Sequence, residues 1–483
     1  MEGIGLLGVP LVGAAVAVIF SPRLALVMVA ATVFLVSLAN RRWSLYAAIL
    51  LLPIIHFKPF AGMKLSEMFM LAMFISTLLL VLAGKLKLKA IRPVGYLLLF
   101  IAFSVVSFVN SIGIRKDEVV FAGLIYAPNI ISINWILRYV TIAGILLTVP
   151  SVIRTERIFR NAVRIHIFSG TTVSIFGLML VALFLLGKQV SIPICRSFGD
   201  YAGMWGFRLA GTAFEPAGFA NYLLAVIPIT LAAWIGEQQN IKTELTLFFA
   251  FAIQCFAMFF TLSSGGWISL GLAILLLLYV GRHRLVGRKR LQLVVIGLLV
   301  AISLGCLCVR LNLPANRLGF VLVGKFMSDT PGKVDRLATA RILLRMVKDH
   351  PIMGIGPGNF PYLMASYAQG EAGLSVSGYK TTYPATWKAN NDYLTAAAET
   401  GIVGLIIFAL FVVALLRSLV HVAKSVKGLA DEYTIVGIAC SIVALMLQAS
   451  VSFTILNPFI WVLCGLAFGY YWSIVAPRDE NRH

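Results

Sequence analysis

ELTLFFAFAIQCFAMFFTLSSGGWISLGLAILLLLYVGRHRLVGRKR, residues 244–290, decides the fold class. Two apolar runs, near 244–262 and 265–280, are separated by a short Ser-Gly turn, and the second ends in Arg282, Arg284, Arg288, Lys289 and Arg290. A helical bilayer crossing needs roughly 20 mostly apolar residues, and the cations of a polytopic protein collect in its short inner loops. The pair therefore reads as a membrane hairpin with its turn outside and its basic end inside. Hydrophobic residues fill 60% of the 483 positions and mean hydropathy is +0.93, which excludes an ordinary soluble domain.

Apolar runs of this kind number about fourteen. They fall near 4–20, 24–39, 43–56, 66–84, 94–112, 131–149, 165–186, 216–235, 244–262, 265–280, 291–309, 395–416, 433–453 and 458–475. No basic stretch precedes 4–20, so it reads as a retained helix rather than a signal peptide. With the N-terminus inside, one side receives Arg41/Arg42, Lys85/Lys87/Lys89/Arg92, Arg154/Arg157/Arg160/Arg164, the 282–290 cluster, Lys424/Lys427 and Arg478/Arg482. The same parity puts 187–215 and 310–390 outside. The expected organisation is crossings 1–11 over 1–309, an outer loop over 310–390, and crossings 12–14 with an inner tail over 391–483.

A formal net charge of +21 would suggest nucleic acid in a soluble protein, but loop cations explain much of it here, so no nucleic-acid partner is expected. Of six cysteines, Cys255, Cys306, Cys308, Cys440 and Cys464 sit in apolar runs and Cys195 in an outer loop. That pattern fits neither a disulfide framework nor a metal site. No cofactor is expected.

The outer insert breaks the charge rule, because outer segments should be poor in Lys and Arg. It carries Arg310, Arg317, Lys325, Lys333, Arg336, Arg341, Arg345, Lys348, Lys380 and Lys388 against Asp329, Asp335, Asp349 and Glu371. Within it, 333–349 (KVDRLATARILLRMVKD) predicts an amphipathic helix stopped before Pro351. Arg341, Arg345 and Lys348 fall within an arc of roughly 60°. Leu337, Ala340, Leu343, Leu344 and Val347 form the adjacent apolar face, Asp335 and Asp349 the far flank, and Arg336 points toward the apolar side. The stripe is either a headgroup anchor or a clamp for phosphate or pyrophosphate, for which Arg forks are suited. GIGPGNF, 354–360 with its lead-in, reads as a tight turn rather than a phosphate loop, since no strand precedes it.

Polar residues also gather at the outer ends of crossings. RLAGTAFEPAGFANYL brings Arg208 and Glu215 to the start of the eighth, where Glu215 is a helix-capping acid or a general base. TLSSGGWISL places Ser263, Ser264, Gly265 and Gly266 in an outer turn, and WKANNDYL places Asn390, Asn391 and Asp392 before the twelfth crossing. Glu67 and Arg138 lie in or near membrane segments, where ionisable groups are costly, and read as a structural pair or as functional groups.

In their order, RLAGTAFEPAGFANYL, FTLSSGGWISL, DHPIMGIGPGNF and KANNDYLTAAAETGIVGLIIF resemble the bacterial O-antigen ligase and Wzy-type polysaccharide polymerase superfamily, over roughly residues 200–420. The resemblance implies an all-α, GT-C-like membrane glycosyltransferase with a large helical periplasmic loop. Its expected reaction transfers a glycan from undecaprenyl pyrophosphate to an acceptor hydroxyl at the outer face of the bacterial inner membrane, without nucleotide sugar or metal. Family ligases read Ser-Arg-Gly where this chain has Ser263-Ser264-Gly265, and Ala-His-Asn where it has Ala389-Asn390-Asn391. Asn390 cannot serve as a base, and His350 is a candidate substitute. These departures favour a polymerase of O-antigen, capsule or exopolysaccharide repeat units over a ligase acting on lipid A-core.

The expected roles follow from both readings. Glu215 acts as base and Asn391 orients the acceptor. Arg208, Arg341, Arg345, Lys348 and Asn390 bind substrate. Expected partners are the lipid-linked glycan, an acceptor glycan, the bilayer and a chain-length regulator. A flippase or exporter of lipid-linked sugars, or a small-solute permease, is the alternative of another class. The first needs charges deep in many helices and the second broken helices in both halves.

Overall fold

The computed structural model describes residues 35, 39–54, 64–88, 91–113, 120–121, 124–125, 128–188, 208–213, 215–237, 240–281, 331–368 and 389–477. The crossings expected near 4–20 and 291–309, and that near 24–39 apart from Leu35 and Ala39, lie outside the described residues, as do the 282–290 cluster, Lys380, Lys388, Arg478 and Arg482.

The described chain is a helical bundle. Its helices are α1 Arg41–Leu51, α2 Leu65–Leu82, α3 Arg92–Asn110, α4 Pro128–Val152, α5 Glu156–Leu185, α6 Pro216–Gly236, α7 Ile241–Phe260, α8 Ser264–Gly281, α9 Pro331–Asp349, α10 Phe360–Tyr367, α11 Asp392–Ser425, α12 Glu432–Gln448 and α13 Pro458–Tyr470. The strands among the described residues are a two-residue antiparallel pair, β1 Val120–Phe121 and β2 Leu124–Ile125. Nine of the described helices are long and apolar enough to cross a membrane, and α12 is a shorter apolar helix. Every expected crossing from 66–84 onward that falls on described residues coincides with one of these helices, whereas the one expected near 43–56 corresponds to the 11-residue α1, which is too short to be among them. The chain is a multi-pass membrane protein.

Local chemistry sets the helix starts. Asn40 accepts the amides of Arg42 and Trp43 at the head of α1, Asn240 those of Lys242 and Thr243 at α7, and Thr155 that of Ile158 at α5. Proline occupies the first turn of α3, α6 and α13, where its missing N–H costs nothing.

The buried centre is α6, almost wholly enclosed and packed on α7, α8 and α12. Helix α13 is buried against α4. There a Cβ on Gly465 would come 2.6 Å from Val149, and one on Gly469 2.7 Å from Ile153, so two small residues four apart admit the neighbouring backbone.

Chain direction sorts the helix ends into two groups. One end carries the starts of α6, α8, α11 and α13 with the 208–213 and 449–457 segments, and α9 packs beside it on α11. The opposite end carries the starts of α1, α5, α7 and α12. Arg41 bonds there to Thr77 and Ser151 across α2 and α4, and Arg160 to Asp431 across α5 and α12. The described Lys and Arg expected in short inner loops belong to this second end.

Two features depart from expectation. The segment expected as one crossing near 395–416 runs from Asp392 to Ser425 and breaks at Gly401, whose φ of 69° and ψ of −175° suit glycine alone. In α9 the buried face is Ala338, Thr339, Ile342, Leu343 and Met346, while Leu337 and Leu344 are exposed. The helix is rotated from the expected orientation because α10 and α11, rather than a bilayer surface, cover its apolar side.

Candidate functional site

Four connections interlock at the end opposite the Arg160–Asp431 contact. Arg208 donates from Nε to the Thr261 carbonyl at 2.9 Å, and Leu209 N–H bonds Phe260 O at 2.8 Å, so 208–213 is laid over the α7–α8 turn. Asn221 of α6 donates to Ser452, Phe453 O and Thr454 at 3.2–3.3 Å. Asp392 Oδ2 accepts the amides of Thr454 and Ile455, each at 2.7 Å, while its own N–H bonds Ala449 O at 2.8 Å. Gln448 reaches Ser269 of α8 at 3.4 Å, and a Cβ on Gly265 would come 2.8 Å from its Oε1. The motifs around 208, 263 and 391 thus meet through residues 448–455.

Backbone strain marks the same place. Leu262, between Thr261 and Ser263, has φ of 48°, the one positive φ of a non-glycine among the described residues. Such a conformation costs about 1–2 kcal/mol and is held by the bonds on either side.

The Gly-rich segment is a docking wedge. Ile355 N–H bonds Ala398 O and Gly356 N–H bonds Glu399 O, both at 2.9 Å, and Ile402 N–H bonds Pro351 O at 2.8 Å. These contacts satisfy the backbone groups that the break at Gly401 leaves open. Ser107 of α3 donates to the carbonyls of Met353 at 2.6 Å and Glu399 at 2.8 Å. The Glu399 carboxylate, 3% exposed, accepts the amides of Gly358 and Phe360 at the start of α10. The amides that a phosphate loop would offer are therefore taken, as the tight-turn reading expects.

Each expected site residue has a definite place. Glu215 is the N-cap of α6, exposed, and its side chain makes no capping bond, so the capping role is not taken up. Arg336 of α9 lies within electrostatic reach of Glu215: its side chain reaches solvent from among protein atoms whose burial lowers its pKa, and the Glu215 carboxylate opposes that shift. Asn391 caps α11, its Oδ1 accepting Leu394 N–H at 2.9 Å; this acceptor is committed to structure, which leaves its amide N–H groups for a ligand. Asn390 is half-buried beside it.

On α9, Arg341 and Lys348 are exposed together with Leu337 and Leu344. Arg345 is exposed, but its Nη1 donates to the Tyr367 carbonyl at 3.0 Å, tying α9 to α10. His350 directly follows α9, with its carbonyl accepting Gly354 N–H at 3.1 Å. Glu67 and Arg138 form no direct pair. Glu67 accepts Lys64 N–H at 2.9 Å and pairs with its ammonium at 3.5 Å, while Arg138 donates to Asn134 at 3.1 Å.

Sequence reasoning passed over Glu399, Gln448 and Asn221. Glu399 carried a signal, a lone acid inside the apolar AAAETGIVG; Gln448 and Asn221 look like ordinary helix residues until packing places them.

A helical membrane bundle with polar, cation-flanked loops gathered at one end defines the class. Residues 249–409, a third of the chain, match the family model Wzy_C, O-antigen ligase, a similarity in line with the resemblance that the motif order implies. The match spans the strained turn, the docking wedge and the start of α11. No curated protein matches the chain.

Proposed function

We propose that the protein is a periplasm-facing glycosyltransferase that polymerises undecaprenyl-pyrophosphate-linked repeat units into O-antigen, capsule or exopolysaccharide in the bacterial inner membrane. The observation that carries this reading is the amphiphilic stripe of α9, with Leu337 and Leu344 beside Arg341 and Lys348. It is set on the face opposite the α11 contact, near the interlocked loops. A polyprenyl pyrophosphate has the same division into apolar chain and dianionic head. The cations bind the pyrophosphate and stabilise charge on the leaving group. The exposed carboxylate of Glu215 takes the proton of the acceptor hydroxyl, whose oxygen bonds the anomeric carbon as the C–O bond to pyrophosphate breaks. The Asn391 amide and half-buried Asn390 orient the sugars. Positioning and electrostatics suffice, since activation resides in the carrier.

Arg208 supports this site indirectly, because its Nε is committed to Thr261. Arg345 flanks the same stripe while its Nη1 holds α10 through the Tyr367 carbonyl. The ligase reading is the second candidate, favoured by the description of the matching family model; a sugar exporter has no comparable support. Deletion of the gene separates the two. Loss of long chains, with single repeat units still on acceptor or carrier, is expected of a polymerase. Long polymer accumulating on the carrier and none on lipid A-core would instead establish a ligase.

A further inference from the structure

At the opposite end of the bundle, the first turns of α5 form a recess of about 400 Å³ lined by Glu156, Arg157, Arg160, Asn161 and Arg164. Three guanidinium groups thus face one carboxylate. Arg160 is fixed: its Nε donates to both Asp431 oxygens at 2.9 and 3.0 Å, and its Nη2 to Glu156 at 3.0 Å. Arg157 and Arg164 are exposed, and neither is engaged by a hydrogen bond or ion pair among the described residues.

The recess does not end at the charges. Positions 157, 161, 164, 168, 175 and 179 share one face of α5, within an arc of roughly 60° at about 100° per residue. Phe168, Ile175 and Met179 on that face are 63%, 52% and 45% exposed. One helix face therefore begins as an arginine-lined hollow and continues as an apolar stripe that runs along a membrane-crossing helix.

We propose that this face binds an anionic phospholipid, with its phosphodiester among Arg157, Arg160 and Arg164 and its acyl chains along Phe168, Ile175 and Met179. Arginine forks match phosphate oxygens in pairs, and basic pockets at helix ends select lipid phosphates. Loop cations serving topology alone need no hollow and no fixed member, and here Asp431 and Glu156 hold one of the three in place. A soluble anion would use the charges but leave the stripe unused. The site is separate from the proposed glycosyl-transfer end and does not depend on that reading.

Native mass spectrometry of the full-length protein in detergent tests the site, with phosphatidylglycerol and phosphatidylcholine as probes. Phosphatidylglycerol should remain bound at collision energies that strip phosphatidylcholine. The Arg157→Gln/Arg164→Gln variant should bind it roughly thirtyfold more weakly. Asn161→Trp keeps every charge but fills the hollow, and should weaken retention as well. Lys424→Gln/Lys427→Gln removes the same charge from the same end and should leave retention unchanged. Equal retention by the native protein and both α5 variants would overturn the proposal, as would an equal loss in the Lys424/Lys427 variant. Displacement of the lipid by millimolar inorganic phosphate would also reject it, by making the recess a free-anion site.

Discussion

Asp392 holds Thr454: its Oδ2 accepts the Thr454 and Ile455 amides at 2.7 Å each, fastening the start of α11 to the α12–α13 connection. Asp392→Ala leaves two amides unpaired in a buried place and should cost about 3 kcal/mol. Asp392→Asn keeps an acceptor without charge and should lose about half of that. Thermal unfolding in detergent measures both. An unchanged midpoint in Asp392→Ala would show that the clamp contributes nothing.

Gly401→Ala places a Cβ 2.2 Å from the Ile352 carbonyl oxygen at a φ of 69°. Strain and collision together should destabilise by more than about 3 kcal/mol. Gly428 has φ of 80° with nothing within 4 Å of its would-be Cβ, so Gly428→Ala should cost only about 1–2 kcal/mol. Scanning fluorimetry of the pair separates backbone strain from lost docking.

Glu215→Gln should abolish long polymer without altering the unfolding midpoint, because the side chain makes no capping bond. Gel analysis of polymer length and fluorimetry read the two effects separately. A lowered midpoint with polymer intact would return Glu215 to a structural role.

The two arginines of the α9 stripe should differ. Arg341→Gln should remove polymer at normal protein level, with Lys restoring it only in part as the planar fork is lost. Arg345→Gln also breaks the bond to the Tyr367 carbonyl, so protein abundance should fall too. Immunoblotting beside polymer analysis distinguishes them.

Membrane sidedness follows from which end each residue occupies. In intact cells, with the native cysteines replaced, Asp349→Cys should react with an impermeant thiol reagent and Lys427→Cys should not. The reverse labelling would invert the proposed orientation.

Much of this was legible in the sequence. Length and hydropathy give the helices, because a crossing needs one continuous apolar run; Pro216 and Asn391 mark two starts. The helix over 333–349 is visible from its period. Its buried side is not, since Leu337 and Leu343 look alike until α11 selects one. The break at Gly401 is hidden for a related reason: an apolar run scores as a single crossing, whereas the broken backbone is stabilised by carbonyl and amide partners some 45 residues earlier in the chain. Glu215 and Arg336 are individually obvious, but their proximity comes only from tertiary structure.

The pairing of 351–356 with 398–402 also decides what can be cut from this protein. A fragment ending before Asn391 would carry the wedge without the broken helix that completes it, exposing three backbone bonds to solvent. Exchanging the loop between relatives would mean transplanting the opening turns of α11 with it. Any substitution on the exposed stripe of α9 must likewise leave the seam beneath it intact.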